Sequence, residues 1–185
     1  MKALTFSTFG PSDVLEYIDI PSPKLKKEEI LVEMHAIGVN FADVYRRKGN
    51  YHLVGNPPFI AGYEGAGVVV DANGSAHFKI GDRIAFADVP YANAELVAVP
   101  LDHVIPLPES ISFETAATVL LQGLTAHYLA TDSHKTQKDE TVLIHASAGG
   151  VGQFLTQISK LLGATVIGLT SSSEKATVSL QNGAD

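Results

Sequence analysis

The chain has 185 residues, of which 45% are hydrophobic and 18% are charged, and it contains no cysteine. This composition is typical of a globular protein with a buried core, and it excludes disulfides and thiolate metal sites. A net charge of −7 provides no basic surface for nucleic acid, and no apolar run approaches the ~20 residues of a membrane span. Residues 1–6 lack the layout of a signal peptide. The absence of cysteine is compatible with the cytoplasmic location that we expect.

About the first 110 residues are predicted to be rich in strands, because β-prone runs alternate there with clusters of glycine, proline and asparagine. The predicted strands are residues 3–6, 16–20, 30–38, 65–71, 83–87 and 91–99. A short helix is expected at residues 42–48, and its basic end, Arg46-Arg47-Lys48, is interpreted as solvated.

The character of the chain changes at Ser112, where a helix rich in alanine and leucine is predicted to begin and to run towards Ala130. A polar linker at 131–139 leads to a strand at 141–144, a helix ending at 162, a strand at 164–169 and a helix at 173–181. Residues 182–185 resemble a turn into a third strand. Since a complete dinucleotide-binding fold has two mononucleotide-binding halves, we expect a partial domain.

The most informative segment is 145–152, His-Ala-Ser-Ala-Gly-Gly-Val-Gly, which follows the apolar strand at 141–144. The unbroken apolar run predicts a strand buried on both faces. Strand, glycine turn, helix and strand form the dinucleotide-binding unit of a doubly wound parallel α/β sheet, in which pyrophosphate lies at the helix N-terminus. Helical spacing predicts that the helix packs on the sheet through Val151, Phe154, Leu155, Ile158, Leu161 and Leu162.

The glycine turn departs from the usual pattern, because Ser147 stands where the first glycine is expected. An ordinary tight turn without a ligand is the alternative interpretation. The adjacent Gly149 and Gly150 favour a ligand, since two residues without Cβ allow a close approach to the backbone.

Several motifs in a fixed order carry a family resemblance that extends over all 185 residues. The motifs are Gly38–Tyr45, Gly49-x-Tyr51, Pro58–Gly67, Gly81-Asp-Arg83, Gly123-Leu-Thr125, Asp139-Glu140, Leu143, Ser147–Gly150, Gly152, Gln157 and Lys160. Together they resemble the quinone oxidoreductase branch, which includes zeta-crystallin, of the medium-chain dehydrogenase/reductase superfamily. The resemblance implies a β-rich GroES-like domain at 1–123, the first part of a Rossmann domain at 124–185, and a homodimer when the protein is full length.

Zinc-dependent alcohol dehydrogenases of this superfamily carry a ligand cysteine where this chain has Asn40 and a ligand histidine where it has Tyr63. Their four-cysteine zinc loop is also absent. A catalytic zinc needs three protein ligands that converge on one site, so the resemblance implies a metal-free protein. Hydride transfer from a reduced cofactor to an electron-poor acceptor is the chemistry that remains.

The resemblance implies that Asn40, Tyr45 and Tyr51 line the substrate pocket near the nicotinamide, that Asn40 also contacts the cofactor, and that Thr125 lies beside the nicotinamide amide. Asn40 as a helix N-cap and Tyr45 as a core residue are the alternatives. The cofactor residues of the two turns are Ser147, Ala148, Gly149, Gly150, Val151, Gly152, Ser171, Ser172 and Lys175.

Cofactor preference is expected to depend on the end of the second strand, where NAD-binding folds place an acidic residue for the ribose 2′-hydroxyl. Residues 170–173 are Thr-Ser-Ser-Ser, which favours NADPH. The resemblance implies that Lys175 contacts the 2′-phosphate. A capping box of Ser171 with Glu174 is the alternative explanation of this segment.

The sequence therefore predicts an NADPH-dependent, zinc-independent quinone oxidoreductase with a small-molecule acceptor and no assigned catalytic acid or base. Its hydride transfer would occur in the cleft between the two domains. An enoyl or alkenal reductase on the same scaffold is the first alternative, and a non-catalytic NADPH-binding protein is the second. Because both domains are expected to be partial, residues 1–185 alone are predicted to show no turnover.

Overall fold

The computed structural model describes all 185 residues of the chain. The chain divides into two compact units, Met1–Leu120 and Leu121–Asp185. The division lies close to the domain boundary predicted after residue 123. The first unit is rich in strands and the second combines helices with a parallel sheet, as the fold class predicted.

Antiparallel strands build the first unit, in one sheet of order β2-β1-β4 and a second of order β7-β3-β5-β6-β8. Alternate residues of paired strands, such as Ile30 and Val32 opposite Val97 and Val99, point into one core. The strands are β1 (Lys2–Phe6), β2 (Glu16–Asp19), β3 (Glu29–Ile37), β4 (Phe59–Ile60), β5 (Glu64–Asp71), β6 (Arg83–Ala87), β7 (Leu96–Pro100) and β8 (Ile105–Pro106).

The strand predicted at 91–99 is only half correct, because β7 begins at Leu96. Tyr91 has a φ of 75°, which is incompatible with a strand. The amide groups of Ala92 and Asn93 donate to the carbonyl groups of residues 62 and 61, at 3.1 and 2.9 Å. These long-range bonds hold 91–95 as a loop. The two-residue strands β4 and β8 were not predicted.

Helix α1 (Phe41–Arg47) belongs to the first unit, and the division between the units falls within helix α2 (Phe113–Tyr128). Ser112 starts α2 as predicted, since its Oγ accepts the amide of Thr115 at 3.1 Å. A π-helical turn at Leu129–Ser133 follows α2, so the predicted linker at 131–139 is helical at its beginning. No helix of the chain combines the length and apolar character that crossing a membrane requires.

The second unit contains β9 (Thr141–His145), α3 (Gly150–Leu161), β10 (Thr165–Leu169) and α4 (Ser173–Gln181). The two strands are parallel, with Thr165 opposite Thr141 and Leu169 opposite His145. The predicted order of strand, glycine turn, helix, strand and helix is confirmed. Each predicted boundary of these four elements agrees with the observed one to within two residues, because apolar runs and glycine turns mark them locally.

Burial on both faces, predicted for the first of these strands, is wrong in this chain. Ile144 and Val166 are buried on the face that packs against the helices, whereas Leu143 and Ile167 on the opposite face are 55% and 47% exposed. The two strands therefore present one open apolar face.

Helix α3 also packs differently from its prediction. Its buried residues are Gly152, Thr156 and Ser159, which share one face at helical spacing. Leu161 is 86% exposed, so its predicted place in the contact with the sheet is wrong. The small residues Gly152, Thr156 and Ser159 allow the helix to approach the sheet closely. We call this buried face the α3 seam, and the longer apolar residues lie on either side of it.

Candidate nucleotide site and exposed aromatic residues

The predicted cofactor residues come together because β9 and β10 are parallel and in register. Leu169 lies opposite His145 at the end of the pair, so the turn after β9 and the turn after β10 lie at the same edge of the sheet. This carboxyl edge is where open parallel sheets bind their ligands. The structure thus places residues 146–152 next to residues 170–175.

The turn after β9 reverses direction at Ala146, which has a φ of 52°. The amide of Gly149 donates to the carbonyl of Ala146 at 2.8 Å, and the amide of Ser147 donates to the carbonyl of Leu169 at 3.2 Å. A left-handed alanine costs about 1–2 kcal/mol. The residue of this turn with a left-handed backbone is therefore Ala146, one position before Ser147, which stands in place of the first glycine.

Ala146→Gly is expected to raise the free energy of unfolding of the full-length protein by about 0.5–1 kcal/mol, because relief of the left-handed strain exceeds the entropy that glycine adds to the unfolded chain. Urea titration would measure the change. Ala148→Gly is the matched control: Ala148 is not left-handed, and its replacement should lower stability. A loss with Ala146→Gly would contradict the account of the turn.

Ser147 supports the turn from inside the unit. The side chain is fully buried, and its Oγ lies 2.7 Å from Oγ of Ser179 on α4. Gly168 leaves space for this pair, since a Cβ there would meet both hydroxyl groups. The hydroxyl of Ser147 is therefore paired within the unit, and the expected cofactor contact of this residue stays a prediction.

The three glycines of the turn have different roles. A Cβ at Gly152 would meet the carbonyl of Ala146 and the Cα of Ser147, whereas a Cβ at Gly150 would meet the side-chain amide of Gln122. Both are thus explained by packing within the unit. Of the three, only Gly149 is exposed, and the expected ligand approach at Gly149 and Gly150 stays a prediction.

Helix α3 differs from the other helices at its N-terminus. Gly149 is its N-cap and provides no side-chain acceptor. By contrast, Asn40 and Asp43 form a capping box on α1, and Ser112 and Ser172 accept backbone amides at the starts of α2 and α4. The first-turn amides of α3 and the positive end of its dipole are therefore directed at the sheet edge without a capping side chain, which suits an anion.

The second turn is capped by Ser172, whose Oγ accepts the amide of Lys175 at 3.3 Å. A capping box of Ser171 with Glu174 is therefore wrong. The Ser171 hydroxyl does not cap the helix and instead accepts from Nζ of Lys175 at 3.1 Å. Both side chains are exposed, so a hydroxyl and an ammonium group stand together at the edge that carries the α3 N-terminus.

In the first unit, Asn40 is an N-cap as the alternative interpretation predicted. Its backbone N–H donates to Oδ2 of Asp43 at 2.9 Å, and its side-chain Nδ2 donates to Oε2 of the buried Glu64, also at 2.9 Å. Tyr45 and Tyr51 are 48% and 49% exposed. Tyr45 therefore does not belong to the core, and both phenol rings are open to a ligand.

The basic end of α1 is not solvated throughout, because Arg46 is 5% exposed. Its guanidinium pairs with Asp43 at 3.1 Å and lies 3.4 Å from the ring centroid of Tyr63. Burial is the main cause that raises the pKa of the Tyr63 phenol, and the positive charge of Arg46 partly opposes it. The interpretation of Arg46 as a solvated residue is wrong.

Thr125 lies on α2 within the second unit and is exposed. Its Oγ1 donates to the carbonyl of Leu121 at 2.7 Å, which leaves the oxygen able to accept. No group of three or more histidine, aspartate or glutamate residues is arranged to hold a metal ion.

Three residues of these sites were not predicted: Gln122 beside Gly150, Ser179 beside Ser147, and Glu64 beside Asn40. Of the three, only Glu64 could have been noticed in the sequence, because it is an acidic residue directly before the small and apolar residues of β5. Gln122 and Ser179 lie on helices whose relation to the turn depends on the fold.

A β-rich unit followed by the first strands and helices of a dinucleotide-binding sheet defines the class of medium-chain dehydrogenases and reductases. Residues 26–135 match the family of the alcohol dehydrogenase GroES-like domain. The chain belongs to that family and, within the superfamily, to its quinone oxidoreductase branch.

Three relatives illustrate this membership. Quinone oxidoreductase of Pseudomonas aeruginosa is 44% identical over 186 residues, which cover 99% of this chain and 57% of the relative. The crystal structure of Escherichia coli quinone oxidoreductase complexed with NADPH superposes with a TM-score of 0.94 at 37% identity, over 100% of this chain and 57% of that one. The 2-haloacrylate reductase of a Burkholderia species is 36% identical over 183 residues, 95% of this chain and 54% of the relative. The chain thus spans little more than half the length of these proteins.

Proposed function

We propose that the full-length protein is an NADPH-dependent, zinc-independent oxidoreductase that reduces a quinone. The observation that carries the proposal is the sheet edge at which the uncapped N-terminus of α3 lies next to Lys175 and Ser171. The name and the bound NADPH of the Escherichia coli relative support it. A dinucleotide with a 2′-phosphate has anionic groups at two points, and the edge offers two separate anion-binding groups.

The residues present fit NADPH. The amides at the start of α3 would hold the pyrophosphate, as helix N-termini do, and Lys175 with Ser171 would hold the 2′-phosphate by charge-assisted hydrogen bonds. Residues 170–173 contain no acid that would repel it. When bound, NADPH supplies the hydride, while the protein supplies orientation and a polar surround. We assign the acceptor to the exposed rings of Tyr45 and Tyr51 and to Asn40.

A zinc-independent reaction is supported by the contacts of Asn40 and Tyr63, the residues at the two positions where zinc-dependent relatives carry metal ligands. The side chain of Asn40 is engaged in a capping box and with Glu64. The Tyr63 ring is covered by the guanidinium of Arg46 at 3.4 Å, and a fixed cation at that distance opposes the binding of a second one.

Elemental analysis of the purified full-length protein is therefore expected to find no stoichiometric zinc, and dialysis against a chelator should leave acceptor-dependent NADPH oxidation unchanged. One zinc per chain, together with loss of activity on chelation, would overturn this proposal.

Saturable, quinone-dependent oxidation of NADPH by the full-length protein tests the function directly. Calorimetric NADPH binding without turnover of any acceptor would instead favour a non-catalytic NADPH-binding protein. A preference for α,β-unsaturated carbonyl acceptors over quinones would favour the enoyl or alkenal reductase alternative, which the similarity to 2-haloacrylate reductase supports. We also propose a cytoplasmic homodimer, which sedimentation and cell fractionation would check.

A further inference from the structure

Arg46 is a buried cation on the short helix α1. Its side chain is 6% exposed and that of its partner Asp43 is 13% exposed. A buried guanidinium loses hydration that neighbouring groups must replace. Oδ1 of Asp43 accepts from Nη1 at 3.1 Å, and the carbonyl of His52 accepts from Nε at 3.3 Å. These bonds fix the plane of the guanidinium.

Two tyrosine rings lie against this plane. The Cζ of Arg46 is 3.4 Å from the ring centroid of Tyr63 and 5.1 Å from that of Tyr51, both within the range of a cation–π contact. Tyr63 is buried next to β5, whereas Tyr51 is half-exposed in the loop after α1. Arg46 thereby connects the half-exposed ring of Tyr51 to the buried ring of Tyr63.

The same residue acts on Asn40 through Asp43. While Oδ1 of Asp43 binds Arg46, its Oδ2 accepts the amide of Asn40 at 2.9 Å. The Nδ2 of Asn40 then donates to Oε2 of Glu64 at 2.9 Å. One connected path, from Tyr51 through Arg46 and Asp43 to Asn40, thus joins two of the three residues assigned to the acceptor pocket.

We infer that Arg46 is a positioning residue of the acceptor pocket, which holds the Tyr51 ring by its charge and flat guanidinium and holds Asn40 through Asp43. The inference rests on the proposed function. Arg46 itself is too deeply buried to meet the acceptor. The part of its effect that runs through the Tyr51 ring therefore depends on Tyr51 being present, which a structural role elsewhere in the unit would not require.

A double-mutant cycle in the full-length protein tests this dependence. Tyr51→Leu is expected to raise the KM for the quinone about tenfold in the wild-type background but less than about twofold in the Arg46→Met background, with kcat within about twofold throughout. Arg46→Lys keeps the charge near Asp43 but loses the flat group, so it should fold well and still raise KM. Lys48→Met, an exposed residue at the end of the same helix, is the matched control and should change nothing.

Additive effects of Tyr51→Leu and Arg46→Met, or a loss confined to kcat, would overturn the inference. If none of the acceptors supports oxidation of NADPH by the wild-type protein, the proposed function fails. The contact between Arg46 and Tyr51 is then tested by NMR, which does not require activity. In protein labelled with ¹³C-tyrosine, Arg46→Met is expected to shift the ring resonances of Tyr51 and Tyr63, and Lys48→Met is not. Unchanged Tyr51 resonances in Arg46→Met would refute the contact.

Discussion

Replacing Lys175 by alanine in the full-length protein is expected to raise the dissociation constant of NADPH about tenfold or more and to leave that of NADH nearly unchanged. The 2′-phosphate carries close to two negative charges, and hydrogen bonds between charged groups contribute about 1.5–3 kcal/mol. Nζ of Lys175 already lies 3.1 Å from Oγ of Ser171, so both groups are in place to receive the phosphate. NADH has no group at that position.

Calorimetric titration of both cofactors would measure the selectivity, and Glu174→Ala is the matched control. Glu174 is the exposed neighbour of Lys175 on the first turn of α4, and its removal takes away a negative charge near the phosphate. Glu174→Ala should therefore leave NADPH binding equal or slightly tighter. Equal losses for NADPH and NADH in Lys175→Ala would mean that Lys175 does not bind the 2′-phosphate.

The second unit could be predicted almost completely, because its signals are local. The apolar runs of β9 and β10, the glycines between them and the serines before α4 each mark a boundary within a few residues of the chain. The first unit was less predictable where pairing is long-range. Residues 91–95 have the β-prone composition of a strand, but hydrogen bonds to residues 61–62 and to β1 hold them as a loop.

Within the sites, the residue types were predictable and their orientations were not. Ser147 occupies a ligand-like position in the motif, but the approach of Ser179 from α4 turns its hydroxyl inward. Arg46 has the sequence of a solvated helix end, yet its position three residues after Asp43 and beside Tyr63 makes burial favourable. Each outcome depends in part on a partner outside the local pattern, Ser179 for Ser147 and Tyr63 for Arg46.

Gly152→Ala is expected to weaken the binding of NADPH and NADH alike, by about tenfold or more, whereas Gly150→Ala should weaken it far less. A Cβ at Gly152 would meet backbone atoms, the carbonyl of Ala146 and the Cα of Ser147, so the turn itself must move. Such overpacking costs about 1–3 kcal/mol. The nearest atoms to a Cβ at Gly150 would be the end of the Gln122 side chain, and the end of a flexible side chain moves at a lower cost than backbone does. The turn that carries the α3 amides is displaced in the first case and kept in the second.

The two variants differ by the position of one methyl group on the same helical turn, so each is the control for the other. Calorimetry with both cofactors would measure binding, and thermal unfolding would show whether either variant is folded. Gly152→Ala should remain folded with a lowered melting temperature, since Gly152 lies at the edge of the α3 seam. If Gly150→Ala weakened both cofactors as much as Gly152→Ala, the ligand would be approaching the backbone at Gly150 itself. The packing account of that glycine would then be wrong, and the sequence interpretation of the adjacent pair would be correct after all.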